Sequence, residues 1–549
     1  MNRHVVLAAL GVRIAIALLT RTFFQPDEYF QSLEVAHHLV FGYGHLTWEW
    51  LTPQPIRSIL YPALNVPVYY ALKVLRLDGT EWLIWGPKIL HGAIAALTDI
   101  WLCRLTKQVI GERYVLIALL LSLTSLFHGL ALSRSLSNSA ETSLTTVALS
   151  YFPWDTHASG WRRSFRVSLS VAAVACAVRP TNAVLWVYMV AFLAWRHRKE
   201  PKRILAVAAD VALIGSVALG ALCTLDSLYY GKLTFTPLNF LRTNLSSISL
   251  FYGSSPWHYY LSQGVVVLAT IVLPFSLHGI FISATSGGTP AARSLLGLVL
   301  WTITIYSLAG HKEWRFIHPL LPILHIFAAR SIVDVYHRKQ ATRSHGTKKR
   351  APRPAKLPIS RAHLALVLLN IPPLLYLMFA HGRAQIDAIH VLRALPAARV
   401  RSAGFLMPCH STPWHAYLHT PAWAAPGRVW ALGCEPPLAG DAGAYGDQTD
   451  VFYAAPAAYL RTRFPRTVDR AFPPSPNPFT PPGSPRPDAS ARDWKHEWPE
   501  YVVAFGALLR EPGVAEVLAE RGYRVVWHGE GGWEGDARRR GGVVVMKVE

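Results

Sequence analysis

Long apolar blocks separated by clusters of Lys and Arg run through most of this 549-residue chain. Backbone placed in hydrocarbon must satisfy every N–H and C=O internally, so such a chain is restricted to helices or a closed barrel. The blocks have the length of helical spans, and 52% of residues are hydrophobic against 16% charged. That pattern indicates a polytopic α-helical membrane protein. The formal charge of +22 does not point to nucleic acid, because much of it is local: 330–361 holds ten Lys/Arg and one acid, Asp334. A run of that kind reads as a cytoplasmic loop.

The first apolar segment, Val5 to Thr20, is interrupted by Arg13 and followed by no small-residue cleavage site, so it reads as a retained signal anchor. Further candidate spans lie near 82–102, 114–132, 138–152, 167–178, 182–195, 204–228, 259–282, 293–309, 316–330 and 361–380. Basic clusters at 104–113, 162–166, 196–203 and 330–361 assign those loops to the cytoplasm. The loops 21–58, 229–258 and 310–315, with everything after residue 382, then share the lumenal face. Parity closes at about eleven spans, with twelve as the alternative, if Ile59 to Leu77 forms a pair of short re-entrant or surface-lying helices around Pro62, Asn65 and Pro67.

Beyond residue 382 the composition shifts to Ala, Pro, Arg and Gly, with short strand-like runs at Tyr501 to Phe505, Tyr523 to Trp527 and Val543 to Val548. This divides the chain into a membrane module, 1–382, and a small α/β lumenal domain, 383–549. Cys103, Cys176 and Cys223 lie in or at the ends of spans and read as packing residues. Cys409 and Cys434 both fall in the lumenal domain, where a disulfide closing the loop between them is expected. Asn244-Leu245-Ser246 is a glycosylation sequon in a loop on the same side.

Three polar clusters meet that face: Asp27-Glu28 with Gln25 and Gln31; Tyr252-Gly253 with Pro256-Trp257-His258; and His311-Lys312-Glu313-Trp314-Arg315-Phe316. Singly, each reads as solvated charge or an interfacial aromatic anchor; together they have the make-up of a site. In order and interval they resemble motifs of the dolichyl-phosphate-mannose-dependent α-mannosyltransferases of the endoplasmic reticulum, glycosyltransferase family 22. Within that family, Phe405-Leu406-Met407-Pro408-Cys409-His410-Ser411-Thr412-Pro413 and Cys434-Glu435-Pro436-Pro437 resemble the branch that adds the third mannose to the glycosylphosphatidylinositol (GPI) precursor. The chain departs from the family at Val265-Val266, where Leu-Pro is common, and in Pro/Arg-rich stretches at 340–357 and 470–490.

The resemblance implies a GT-C type glycosyltransferase of the endoplasmic reticulum membrane, acting on lipid substrates; no cofactor is expected beyond the donor dolichyl-phosphate mannose and no metal-ligating residues are singled out, which leaves metal dependence open. It implies α1,2 transfer onto the dimannosyl GPI intermediate. The residues read the same way: no Gly-rich phosphate loop and no Asp-x-Asp pair suited to a nucleotide-sugar–metal complex is present. Inversion at the sugar carbon needs a carboxylate to take the acceptor proton and cations to hold the departing phosphate. Asp27 or Glu28 can be the base, and the motif match with neighbouring Pro26 favours Asp27. His311, Lys312 and Arg315 are candidates for the phosphate, Arg315 foremost for its fork of donors, with His258 as a substitute. Gln31, Tyr252 and Trp257 are expected to contact substrate.

Arg179-Pro180-Thr181 reads equally as a helix break and as a lipid-phosphate contact. Metal binding at Cys409 and His410 is not expected, since no second pair at zinc spacing accompanies them. The rival readings are an α-mannosyltransferase for the lipid-linked oligosaccharide of asparagine glycosylation, a lipid transporter or scramblase, and a noncatalytic assembly subunit.

Overall fold

The computed structural model of the chain describes residues 3–246, 248–285, 287–345, 357–396, 400–437, 445–476 and 494–549. Residues 346–356 of the basic run and 477–490 of the Pro-rich stretch lie outside them. Among the described residues, five helical runs are long and apolar enough to cross a membrane: Trp82–Val109, Pro201–Tyr230, Tyr260–Thr285, Trp314–Thr342 and Arg361–Ala394. Pro201–Tyr230 shows why such a helix starts and stops where it does. Proline occupies its first turn, where the missing N–H costs nothing, and Gly231 ends it in the left-handed conformation (φ 67°). The other sequence-predicted segments form helices too, among them Arg3–Leu19, Val115–Leu123, Ser137–Tyr151, Trp161–Val178, Ala183–Arg196 and Pro290–Ser307. The Ile59 to Leu77 segment holds two short helices, Leu60–Ala63 and Val66–Val74, with Pro67 in the first turn of the second.

By packing, the chain forms two compact units, each discontinuous in sequence. The first comprises Met1–Leu18, Lys88–Pro237 and Gly253–Leu375; the second comprises Leu19–Pro87, Leu238–Tyr252 and Tyr376–Glu549. This division differs from the compositional one at residue 382, because the C-terminal residues cluster with the segment that carries Asp27-Glu28.

In the first unit, some buried polar groups are matched across helices and others within one helix. Arg13, which interrupts the first apolar segment, is fully buried; its Nε and Nη2 donate to Asp99 Oδ2 and Oδ1 at 2.7 and 2.9 Å, and Nη2 also to the Ser122 carbonyl. A paired charge of this kind is the form in which an ionised group persists inside a membrane helix bundle. Helix Ser137–Tyr151 is rich in Ser and Thr yet almost wholly buried. Thr142 and Thr146 donate their hydroxyls to the carbonyls of Asn138 and Thr142, one turn back, at 2.8 Å each, which satisfies these groups without water.

The second unit is built on a five-stranded mixed sheet of β1 (Ala403–Leu406), β2 (Val429–Ala431), β3 (Tyr501–Phe505), β4 (Tyr523–Gly529) and β5 (Val543–Val548), in the order β2-β1-β3-β5-β4. The β1 pairings with β2 and β3 are parallel, and β5 runs antiparallel to β3 and β4. Central strands covered on both faces read as unbroken apolar runs, and every residue of β1 and β3 is buried. One face packs in a cluster that contains Phe405, Val503 and Val545 together with Phe23, Tyr29, Phe30 and Leu33. The apolar side of the Asp27-Glu28 segment is therefore part of the sheet's own core. The opposite face is covered by Trp430, Phe452, Trp498 and Val517, among others.

Candidate active site

Pro26 accepts backbone hydrogen bonds from Tyr29 and Phe30 at 2.9 and 3.0 Å, so Asp27 and Glu28 lie in the first turn of a helix. The turn continues as a π-helical segment, Tyr29–Leu33, before the α-helix Glu34–Phe41. Such π segments recur at functional sites because the extra residue re-aims the side chains around it. Glu28 is 5% exposed and faces inward, whereas Asp27 is half-buried. Gln31, one turn on, directs Nε2 at Glu49 Oε1 (3.5 Å), and its buried Oε1 has no partner among the described residues. Glu49 Oε1 also accepts from Arg57 Nε and Nη2 at 3.0 and 2.7 Å. In the same unit Trp48 donates its indole N–H to the Tyr252 hydroxyl at 2.9 Å, and Tyr252 stays half-exposed.

The C-terminal motif joins this unit. Cys409 and Cys434 form a disulfide with a Cα–Cα separation of 5.9 Å. Although Cys409, His410 and Cys434 lie close enough to share a metal ion, both thiols are committed to that bond. His410 has a left-handed backbone (φ 56°), and its ring centroid lies 4.4 Å from that of Phe30. Its Nδ1 lies 3.6 Å from Cys434 Sγ. Glu34, fully buried, accepts backbone N–H bonds from Ala416 (2.8 Å) and His45 (3.3 Å), so one carboxylate ties the acidic-motif helix to the start of helix His415–Leu418. Burial pushes the Glu34 carboxyl up to about 7 despite those donors. Beside it His37 donates through Nδ1 to the Tyr43 carbonyl (2.9 Å) and meets His419 Nδ1 through Nε2 (2.8 Å). The other nitrogen of His419 reaches Asp78 Oδ2 at 3.1 Å.

In the first unit, the segments 253–258 and 310–316 are zipped together. Ser255 N–H donates to the Gly310 carbonyl (3.1 Å), and Lys312 Nζ to the Ser255 carbonyl (2.8 Å). Glu313 is the hub: Arg315 donates to it from Nε and Nη2 at 2.6 and 2.8 Å, and His311 Nε2 lies 3.3 Å away. His311 Nδ1 faces the Gly253 carbonyl at 3.0 Å. Both imidazole nitrogens thus meet acceptors, which requires the imidazolium form. The hydrogen bond to Glu313 accordingly raises the His311 pKa. Burial acts to push the Glu313 carboxyl up, but Arg315 and His311 outweigh it and hold it well below the carboxylate range.

Arg179 stacks its guanidinium over Phe316 at 5.3 Å and pairs with Glu141 through Nε at 3.1 Å. His258 keeps its Nδ1 3.1 Å from Ser262 Oγ, and Trp257 is 70% exposed.

The sequence-predicted residues therefore fall into two groups. Asp27, Glu28, Gln31, Tyr252, Cys409 and Cys434 belong to the second unit; Trp257, His258, His311, Lys312 and Arg315 belong to the first. Asn244 is exposed in helix Thr236–Leu245 of the second unit, with Nδ2 on the Phe240 carbonyl at 2.8 Å. Arg315 is bound bidentately by Glu313, the internal pairing that also suits a purely structural cluster. Sequence reasoning missed Glu49, Arg57, Glu34 and His410. For Glu49 and Arg57 the signal was present as opposite charges eight residues apart in one aromatic-rich loop. Glu34 and His410 lay within motifs already singled out.

The Alg9-like mannosyltransferase family model matches residues 4–419. The chain is 36% identical to "GPI mannosyltransferase 3" of Yarrowia lipolytica over 99% of its length and 96% of that protein's. It is 34% identical to human "GPI alpha-1,2-mannosyltransferase 3", covering 84% of this chain and 77% of that one. Among solved structures it shares the fold of ArnT from Cupriavidus metallidurans, crystallised with undecaprenyl phosphate. The TM-score is 0.57 at 13% identity, over 99% of this chain and 97% of that one. This is the membrane-embedded GT-C architecture.

Proposed function

The chain belongs to the Alg9-like mannosyltransferase family, and on that premise we propose that it transfers the third mannose of the GPI anchor, in α1,2 linkage, from dolichyl-phosphate mannose to the dimannosyl GPI intermediate. In support, relatives that match it over most of its length are named "GPI mannosyltransferase 3" and "GPI alpha-1,2-mannosyltransferase 3". In this reading it works in the endoplasmic reticulum membrane through about eleven spans, with the 21–58, 229–258 and 310–315 loops and the C-terminal domain in the lumen. Both lipid substrates reach the site from the bilayer, and no cofactor is drawn on.

The observation that carries the reading is the cationic cluster around Phe316. His311, Lys312, Arg315 and Arg179 are four cations set against two acids, Glu313 and Glu141, in a largely buried setting. Such an excess of positive charge suits a departing phosphate, and preorganised donors act most strongly where water is excluded. In the transfer the acceptor oxygen bonds to mannose C1 as the C1–O(phosphate) bond breaks. The bonding pair leaves on dolichyl phosphate, and the acceptor proton passes to a carboxylate. Asp27 is the base in this scheme, because it is half-exposed at a helix start while Glu28 is turned inward. In this reading Gln31 Oε1 accepts from a sugar hydroxyl, which its lack of a protein partner among the described residues supports.

The test is transfer of labelled mannose in microsomes lacking the endogenous third GPI mannosyltransferase. Wild type should yield trimannosyl GPI, and Asp27→Ala should lower the rate by about 10²–10⁴, with Asp27→Glu retaining part of it. No product from wild type, where a control enzyme works, would overturn the assignment.

A further inference from the structure

A cavity of about 470 Å³ in the first unit takes no part in the transfer chemistry. Five helices meet there by their ends. Arg104 and Gln108 lie in the last turns of Trp82–Val109, Tyr151 ends Ser137–Tyr151, and Arg196 ends Ala183–Arg196, while Trp161 and Pro290 begin Trp161–Val178 and Pro290–Ser307. Membrane helices end at the bilayer surface, so a cavity made of such ends sits at headgroup depth. Trp195, beside Arg196, is 65% exposed, as an interfacial anchor is. Pro290–Ser307 has 18 residues and is therefore about 27 Å long. At its far end Tyr306 donates to the Thr181 carbonyl at 3.0 Å, two residues from Arg179. The cavity thus lies a membrane thickness away from the cations around Phe316.

Its positive charge is not neutralised from within. Arg104 and Arg196 are half-buried, and among the described residues neither guanidinium has a carboxylate partner. Each rests on a ring instead, Arg104 at 4.2 Å from the Tyr151 centroid and Arg196 at 6.0 Å from that of Phe192. The one acid of the lining, Asp155, is exposed and accepts the His157 backbone N–H of its own loop at 3.0 Å. Arg203 stands behind the wall, 5.6 Å over Trp161, and is paired with Glu200 at 2.8 Å. Two unpaired guanidinium forks call for a planar or tetrahedral oxyanion, and they match the two charges of a phosphate monoester. Pro290 and Ala291, the first turn of their helix, line the same space, where the helix dipole adds to the attraction. The rest of the wall is aromatic: Trp161 and Trp154, the latter fixed by its indole N–H on the Leu149 carbonyl at 3.0 Å.

We propose that this cavity binds a phosphate monoester carried on a polar body, with Arg104 and Arg196 on the phosphate and the body against Trp154 and Trp161. A phosphorylated lipid headgroup and a soluble phosphate ester share that chemistry. The basic loops 104–113, 162–166 and 196–203, which border the cavity, put it on the cytoplasmic side by the charge rule. The site is independent of the mannosyl-transfer reading and lies on the opposite face from the His311 to Phe316 cluster.

The experiment measures binding to the full chain in detergent micelles by native mass spectrometry. The probes are a phosphatidylinositol phosphate, unphosphorylated phosphatidylinositol, phosphatidylcholine, and the deacylated, water-soluble form of the first. Wild type should bind the phosphatidylinositol phosphate about ten-fold or more tightly than the two lipids without a monoester. Arg104→Gln and Arg196→Gln should each weaken it about ten-fold, the factor expected for a charged hydrogen bond. Ser159→Trp fills the cavity while removing no charge, so it should weaken binding similarly and keeps the test intact if Arg104→Gln fails to fold. Arg198→Gln, an exposed cation stacked on Trp195 outside the lining, should stay within about two-fold of wild type. Equal binding of the deacylated form assigns the site to a soluble ester; binding about ten-fold weaker assigns it to a lipid. Unchanged binding in Arg196→Gln and Ser159→Trp overturns the proposal. So does an equal loss in Arg198→Gln, which would reduce the effect to general surface charge, or equal binding of unphosphorylated phosphatidylinositol.

Discussion

The two motif-bearing regions treat buried charge in opposite ways. Around Glu313 in the first unit, the groups are ionised and neutralise one another: a carboxylate held far below its usual range, a protonated His311 and a bidentate Arg315. Around Glu34 in the second unit, burial drives groups toward neutrality: the Glu34 carboxyl is raised to about 7, and His45, His410 and His415 are lowered to about 3, 4 and 4. Paired opposite charges tolerate desolvation where single ones do not. The first arrangement provides strong fixed fields for an anion; the second provides a hydrogen-bonded scaffold around the helix that carries Asp27.

The sharpest way to break this contrast is at Arg315. Loss of one preorganised donor to a developing anion costs about 10²–10³ in rate, so Arg315→Ala should lower mannose transfer by that order. Arg315→Lys should recover only part, because it restores the charge without the fork. Glu313→Gln is the companion: it removes the partner that holds His311 protonated, so the alkaline limb of the rate profile should move to lower pH. If Arg315→Ala transfers at the wild-type rate, the cluster is only an internal ion pair and the distinction between the regions loses its functional meaning.

Next in size is the disulfide that staples the second region. It closes a loop with a sequence separation of 25, for which loop-closure entropy gives about 3 kcal/mol. Cys434→Ser should lower the unfolding midpoint accordingly, and wild type with reductant should match it. An unchanged midpoint in both would mean that the Glu34 and His37–His419 bonds hold the C-terminal segment unaided.

The sequence revealed more of the first region than of the second. His311 to Phe316 is contiguous, and the pairing of Glu313 with Arg315 spans only two residues, so its internal chemistry could be listed from the string itself. Within the second unit, the local segment Ile59 to Leu77 was legible as two short helices because Pro62, Asn65 and Pro67 punctuate it. The second region is assembled from segments hundreds of residues apart: Glu34 meets Ala416, and His37 meets His419. No local period encodes such pairings. Strands β3, β4 and β5 were visible as apolar runs; β1 and β2, four and three residues long, are too short to stand out from the surrounding loop. The buried helix Ser137–Tyr151 shows the converse limit, since Thr142, Thr146 and Ser150 bond to its own carbonyls while Ser139 and Ser143 bond to the Ala131 carbonyl and the Thr98 hydroxyl, and polarity therefore says little about exposure.

Titration separates the regions further. A carboxyl raised from about 4.5 to about 7 binds more protons in the folded than in the unfolded state across that window, so Glu34 costs stability as pH rises through it, on the order of 3 kcal/mol in all. The lowered histidines act in the other direction: their contribution is present above their unfolded value near 6.5 and is lost as pH falls toward about 4. Glu34→Gln should therefore flatten the decline between about pH 4.5 and about pH 7 while leaving the acid-side loss in place. Unfolding midpoints at several pH values check this, and a difference between the two proteins that does not vary with pH would show that Glu34 is not titrating there.

The smallest effect tests whether the rim of the second region shares the rigidity of its interior. Trp48 donates to the Tyr252 hydroxyl at 2.9 Å, but Tyr252 is half-exposed, so water can replace either partner once the bond is lost. A neutral hydrogen bond in that setting contributes about 1 kcal/mol or less. Tyr252→Phe should consequently leave the unfolding midpoint nearly unchanged and alter transfer by no more than a few-fold, about the factor that 1 kcal/mol allows. A fall of about 100-fold or more in kcat with the midpoint unmoved would place the hydroxyl on the substrate in the transition state, extending the catalytic surface beyond Asp27 and Gln31.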